Sequence, residues 1–185
     1  ADESILADGQ FLSYSRDKKT LARPWAIPGT AGLEHRIGGI EKEDLTGNVS
    51  YDPDNHQYMV ETRANKVEAI ANEFGPSKIF GKASGDLLIL SWGGTKGACR
   101  SASEALQDSG KSVSHLHIRW INPLPKDLGE ILIKFKNVLI PEINYGQLIK
   151  IIRGEFLVDA KGLNQVRGKP ISSADIQEAA NTLIG

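Results

Sequence analysis

The chain has 185 residues, enough for one ordinary domain with an appendage or for two small domains. Its 22 Lys and Arg against 23 Asp and Glu leave a formal net charge of -1, which gives no general attraction to nucleic acid or anionic lipid. The single cysteine, Cys99, excludes an internal disulfide framework, a cysteine-ligated Fe-S cluster and a CxxC redox pair.

The longest apolar runs, Leu87 to Leu90 and Ile131 to Ile133, fall far short of the ~20 residues of a membrane helix, and no secretory apolar region opens the chain. A soluble, cytoplasmic chain is expected, with neither a nucleic acid nor a membrane as partner. Ala1 opens the sequence and Met59 is its one methionine, so a segment of a longer protein is expected.

Residues 1–55 are rich in Pro, Gly, Asp and Asn and show no sustained period of 2 or 3.6, which predicts irregular structure. So long a stretch without regular elements usually lies on a partner surface or carries function. A helix over about 55–74 follows, with Val60, Ala64, Val67, Ala71 and Phe74 as an apolar stripe, Asp54 and Gln57 at capping distance, and Gly75-Pro76 as its stop. The expected division is a connecting segment at 1–75 and an α/β domain at 76–185.

Downstream of the loop "GKASGD", strand-like runs at Leu87–Ser91, Val113–Arg119, Val138–Ile140 and Phe156–Asp159 alternate with helical stretches. That alternation marks a βαβ series: a three-layer α/β domain with a mainly parallel sheet flanked by helices. The first helix carries Ala98, Ala102, Ala105 and Leu106 on one face and Gly110 as terminator. The second carries Leu128, Ile131, Leu132 and Phe135, with Asp127 and Glu130 at capping distance. In the third, Asn144 and Gln147 stand in that relation before Leu148, Ile149, Ile152 and Phe156. The last follows Ser172 and Ser173 and shows Ile176, Ala179, Ala180, Leu183 and Ile184.

In an open parallel sheet, ligands lie beyond the carboxyl ends of the strands. Three such ends, "SWGGTKG", "RWINPLP" and "PEINYGQL", are expected to converge on one edge. The first combines Gly93, Gly94, Thr95 and Gly97 with Lys96 at a helix start, where N–H groups and the helix dipole favour an anion. It is neither G-x-G-x-x-G nor a Walker loop. Close chain reversal on glycine is the preferred reading there, and an anion site the alternative.

His115 and His117 share one side of a strand with Arg119, without a third ligand for a metal, so a polar sheet edge or interface is preferred and no metal site is expected. Cys99 lies in the first turn of a helix without a histidine to pair with, and reads as a small core residue. Glu142, between a buried strand and a helix, fits an acid, a base or a subunit contact. His35 and Arg36, in the glycine-flanked "LEHRIGG", sit in an irregular segment of the kind where binding residues concentrate.

The combination "SWGGTKGACRSA", "HLHIRWINPLP" and "PEINYGQL", in that order, resembles the C-terminal domain of the alpha subunit of 2-oxoacid:ferredoxin oxidoreductases, most closely the 2-oxoglutarate type. "ARPWAIPGTAGLEHRIGG" and "NVSYDPDNH" resemble the segment that joins it to the preceding pyrimidine-binding domain, so the similarity covers nearly the whole chain. The resemblance implies a transketolase C-terminal-like fold within an enzyme that decarboxylates a 2-oxoacid on thiamine diphosphate, passes electrons through Fe-S clusters to ferredoxin and releases an acyl-CoA.

It further implies that the activating glutamate lies upstream and that a beta subunit holds the diphosphate and Mg²⁺, so no cofactor is expected on this chain. The implied partners are the pyrimidine-binding domain, the beta subunit and, through the holoenzyme, ferredoxin. The chain alone is expected to be inactive and prone to self-association. Gly93–Gly97 is the candidate anion, CoA or interface turn; His35, Arg36, Asn122, Glu142 and Asn144 are candidate interface or substrate-approach residues. The alternatives are a CoA- or nucleotide-binding module built on that turn, or the C-terminal domain of another thiamine enzyme, such as pyruvate:ferredoxin oxidoreductase or a transketolase relative.

Overall fold

Residues 12–52 keep the irregular character that their composition dictates. The computed structural model describes residues 6, 7 and 9–185, and the chain divides into two units, Ala1–Glu73 and Phe74–Gly185. In the first unit a short hairpin pairs β1 (Leu6–Ala7) with β2 (Gln10–Phe11) in antiparallel register, and isolated bridges join Tyr14 to Leu45 and Lys42 to Val49. The helix α1 spans Pro53–Ala69 and runs into a 3₁₀ turn at Ile70–Glu73.

Its cap is Asp52, not the expected Asp54. The Asp52 carboxylate accepts from the amides of Asp54 (2.7 Å) and Asn55 (3.0 Å), and Pro53 takes the first helical position, where no N–H is needed. Gln57 instead donates to Glu61 one turn on. The expected apolar stripe also fails to be the buried face: Val60 and Val67 stay 42% and 37% exposed, while Met59 and Thr62 are buried. Specific polar contacts tie the irregular segment to α1. Glu41 accepts from Arg63 (3.2 and 3.4 Å) and His56, which together hold its carboxyl down to about 2. Asn55 accepts from the Asp44 amide and donates to the Lys42 carbonyl.

In the second unit a five-stranded sheet has the order β3-β5-β4-β6-β7, from β3 (Ile79–Phe80), β4 (Gly85–Trp92), β5 (Val113–Ile118), β6 (Phe135–Glu142) and β7 (Lys161–Asn164). Pairing is parallel except at the β3 edge, which runs antiparallel to β5. Strand alternation sorts the core in two. Leu88, Leu90, Leu116, Ile118, Val138 and Ile140 pack beneath α3 (Leu128–Leu132) and α4 (Gln147–Phe156). Leu87, Ile89, Val113 and Leu139 pack beneath α2 (Lys96–Asp108) and α5 (Ser173–Ile184). This is the expected three-layer α/β arrangement, with helices on both faces of a mainly parallel sheet. No helix among the described residues is long and apolar enough to cross a membrane.

Several elements differ from expectation for local reasons. The fourth strand is not Phe156–Asp159. Phe156 ends α4, Leu157 is a left-handed cap (φ 53°) that is 90% exposed, and the strand begins at Lys161. Phe156 and Val158 both pack on the core, so a helix cap reproduces the alternation of a strand. In α2 the buried face is Cys99, Ala102, Ser103 and Leu106, with Ala105 outside. Gly110 (φ 84°) ends that helix as expected, its amide bonding to Gln107 and that of Lys111 to Leu106.

The second helix is one short turn that stops at Leu132, so that Phe135 opens β6. Asp127 does not cap it with its side chain; the carboxylate accepts from the Ser77 amide (2.8 Å) and hydroxyl (2.7 Å), pinning the chain before β3. Ser172 caps α5 through the Asp175 amide, as its position suggested.

Candidate functional site: the carboxyl edge of the sheet

The carboxyl ends of β4, β5 and β6 emerge on one edge because the three strands are parallel. At the end of β6, Glu142 is 1% exposed and fully engaged. Its Oε1 accepts from the Leu148 amide (2.9 Å), the Asn144 amide group (3.2 Å) and the Trp92 indole N–H (3.3 Å), and its Oε2 from the Ile149 amide (3.2 Å). Asn144 Oδ1 accepts from the amides of Gly146 (2.8 Å) and Gln147 (3.0 Å). The two side chains thus supply the acceptors that the first turn of α4 requires, a carboxylate where the helix dipole favours one. Glu142 and Asn144 are brought together as a helix cap.

The Gly93–Thr95 stretch forms one 3₁₀ turn, and α2 starts at Lys96 without a side-chain cap. Thr95 is buried, its hydroxyl donating to the Trp92 carbonyl (2.9 Å); Gly93, Gly94, Lys96 and Gly97 are exposed. Only Gly93 needs its freedom, at φ 55°. Asn122, after β5, is exposed, precedes a cis bond to Pro123 and makes no side-chain hydrogen bond among the described residues. In the first unit, His35 and Arg36 are exposed; the His35 ring meets Phe11 edge-on (5.0 Å between centroids), and its Nδ1 lies 2.9 Å from the Leu33 carbonyl.

Beneath α2 the sheet carries a polar cluster in which His115 and His117 share one side of β5, as expected, but within the sheet and joined to Ser91, which the sequence did not single out. Ser91 Oγ lies 2.7 Å from His115 Nε2 and 2.8 Å from His117 Nδ1, since Ser91, His115 and His117 occupy the α2 and α5 face on neighbouring strands. Burial, with the nearby His117 second, lowers the His115 pKa to about 4, so the ring is neutral at pH 7. His117, half-buried, is lowered less and for the same first reason. Cys99 is fully buried, and burial pushes its thiol up to about 11, against weaker contributions from Thr95 and Ser91. It is a core thiol and not a nucleophile. Groups of three or more His, Cys, Asp or Glu suited to a metal are absent among the described residues. One cysteine held in this way does not fit the ligand set of an Fe-S cluster, nor does the surrounding donor set fit Mg²⁺.

A concavity opens on this edge, a cleft of about 430 Å³. Its walls come from Gly94, Thr95 and Ala98 after β4, Ile143 after β6, and Gln165 to Ile171 after β7. The chain passes from β4 to β5 on one side and then returns to place β6 on the other. The cleft therefore lies where the winding of the sheet reverses, the position at which open α/β sheets leave a crevice. Arg167 and Lys169 on its rim were not singled out from sequence; two cations straddling Gly168 just past the last strand were the available signal.

The chain thus presents a mainly parallel α/β unit with a cleft at the reversal of its winding and a carboxyl-end loop after β6 whose Glu142 and Asn144 cap α4. No family model matches the chain. Individual relatives do. The alpha subunit of 2-oxoacid:ferredoxin oxidoreductase 1 from Aeropyrum pernix is 28% identical over 184 residues, 95% of this chain and 28% of that protein. The 2-oxoglutarate:ferredoxin oxidoreductase from Magnetococcus marinus, solved with 2-oxoglutarate, coenzyme A and succinyl-CoA bound, matches at a TM-score of 0.85 and 28% identity, over 97% of this chain and 32% of that one. The chain is homologous to a portion of the alpha subunits of 2-oxoacid:ferredoxin oxidoreductases.

More particularly, the 2-oxoglutarate oxidoreductase subunit KorA of Mycobacterium tuberculosis is 42% identical over 160 residues, 85% of this chain and 24% of that subunit. The chain spans about a quarter of the length of these curated relatives.

Proposed function

We propose that this chain is the carboxy-terminal part of the alpha subunit of a 2-oxoglutarate:ferredoxin oxidoreductase. The enzyme converts the 2-oxoacid and CoA into an acyl-CoA and CO₂ and passes two electrons to ferredoxin. When bound, thiamine diphosphate supplies the carbanion chemistry; it, Mg²⁺ and the Fe-S cluster sit on other parts of the subunit and on a beta subunit. The observation that carries this reading is the match over nearly the whole chain to about a third of a 2-oxoglutarate enzyme's chain.

The part played by this chain is positional. Glu142 and Asn144 fix α4, Asp127 fixes the segment before β3, and the loops so held form a surface toward the rest of the enzyme. Exposed Tyr145, Leu157 and Ile133 in the second unit, and Ile27, Ile37 and Tyr51 in the first, supply apolar area that neighbouring parts cover. The proposed division is a connecting segment to residue 75 and an assembly domain from 76, in a cytoplasmic enzyme.

The test is an exchange. With this chain in place of the matching stretch of the M. tuberculosis subunit, the assembled enzyme is expected to keep CoA-dependent viologen reduction by 2-oxoglutarate, whereas the purified chain shows none. Turnover by the purified chain, or a folded and assembled exchange enzyme without activity, overturns the proposal.

A further inference from the structure

The cleft at the winding reversal is unused by the reading above. Its volume, about 430 Å³, is that of a site for a small organic ligand. Ala98, Ile143, Val166, Pro170 and Ile171 make an aliphatic wall, while Arg167 and Lys169 stand on the rim on either side of Gly168, which takes a left-handed conformation (φ 66°). Neither cation makes a hydrogen bond or ion pair among the described residues. Asp175, which accepts from Gln165 Nε2 (3.1 Å), lies in the field of Arg167. One carboxylate against two cations leaves the rim net positive. Aliphatic walls with a cationic mouth select a molecule that carries an anionic group on an apolar body; bulk water serves a bare inorganic ion better, and a neutral apolar body leaves the cations unused.

We propose that the cleft between the β4, β6 and β7 carboxyl ends binds a small organic anion, its phosphate or carboxylate on Arg167 and Lys169 and its body against Ala98, Val166 and Ile171. The inference is independent of the family assignment, since it rests on the cleft, its lining and its place in the sheet alone.

The test uses the full 185-residue chain, followed by amide NMR, with phenyl phosphate, hexanoate and inorganic phosphate as separate titrants. At least one organic anion is expected to saturate below about 10 mM with shifts centred on Thr95, Ala98, Ile143, Val166 and Ile171, and inorganic phosphate to bind about tenfold more weakly or worse. Saturation by phenyl phosphate alone assigns a phosphate ligand, and by hexanoate alone a carboxylate. The Arg167→Ala/Lys169→Ala double variant, altered only at exposed positions, is expected to raise Kd about tenfold or more. A charge-matched Lys111→Ala/Lys134→Ala control at the amino ends of β5 and β6 leaves it unchanged. No saturable shift with either organic anion, equal binding of inorganic phosphate, or a double variant within about twofold of the parent overturns the proposal.

Discussion

Replacing Glu142 separates a structural acid from a chemical one. Its carboxylate is buried and receives four donors, the amides of Leu148 and Ile149, the Trp92 indole and the Asn144 side chain. Glu142→Gln keeps the shape but removes the charge and turns one acceptor into a donor facing donors. Hydrogen bonds to a charged acceptor are worth about 1.5–3 kcal/mol and neutral ones about 1 kcal/mol, and one backbone donor is left without a partner at about 1–3 kcal/mol. With the lost charge–dipole term at the start of α4, a net cost of about 2–4 kcal/mol follows, allowing for non-additivity.

Glu142→Ala, which orphans every donor, is expected at about 3–5 kcal/mol. In urea, with a slope of about 2 kcal/mol/M, the Gln variant shifts the midpoint of the second unit by about 1–2 M. Trp92 fluorescence reports the transition, and amide exchange at Leu148 and Ile149 accelerates locally before global unfolding. A Gln variant within about 0.5 kcal/mol of the parent, with unchanged exchange at both amides, refutes the capping role.

Acid acts through His115. Its folded pKa of about 4 lies below the unfolded value of 6.5, so the unfolded state binds more protons between the two. Stability is complete above pH 6.5 and falls by about 3 kcal/mol as the pH drops to 4, a slope that urea titrations at successive pH values measure and that His115→Gln removes. Gly129→Ala, on most helices a gain, is expected to cost about 1–3 kcal/mol because a Cβ there meets the Phe156 ring at 2.9 Å; a lower Tm restored by Phe156→Leu checks it. Cys99 is expected to resist thiol reagents in the native chain and to react only at the rate of opening, since burial holds its thiol near 11; rapid stoichiometric labelling at pH 8 contradicts this.

The α/β series was legible because buried parallel strands need continuous apolar runs, and Leu87–Leu90 and Leu139–Ile140 have no other use. The edge strand Ile79–Phe80 was not, since two residues held by an antiparallel partner leave no period to read. Nor was the exposed side of α1: Met59 is fully buried and Val60 is not, a choice made by tertiary contacts that spacing does not encode. The three carboxyl-end loops were expected on one edge, and the parallel order of β4, β5 and β6 puts their ends there, although the cleft is lined by the segments after β4, β6 and β7. Their chemistry was not legible, because Glu142 reads identically as a cap or as an acid until the Leu148 and Ile149 amides are seen pointing at it. The cleft escaped notice because "QVRGKPI" carries no motif and gains meaning only from the place to which β7 delivers it.

A single hydroxyl stands between two imidazoles at Ser91. Its one hydrogen can satisfy only one of the facing nitrogens, so at least one ring must turn its own N–H toward the oxygen. The protonation patterns of adjacent strands therefore meet at one oxygen: the two imidazoles cannot both present a bare nitrogen to it, and removing that oxygen would lift the restriction.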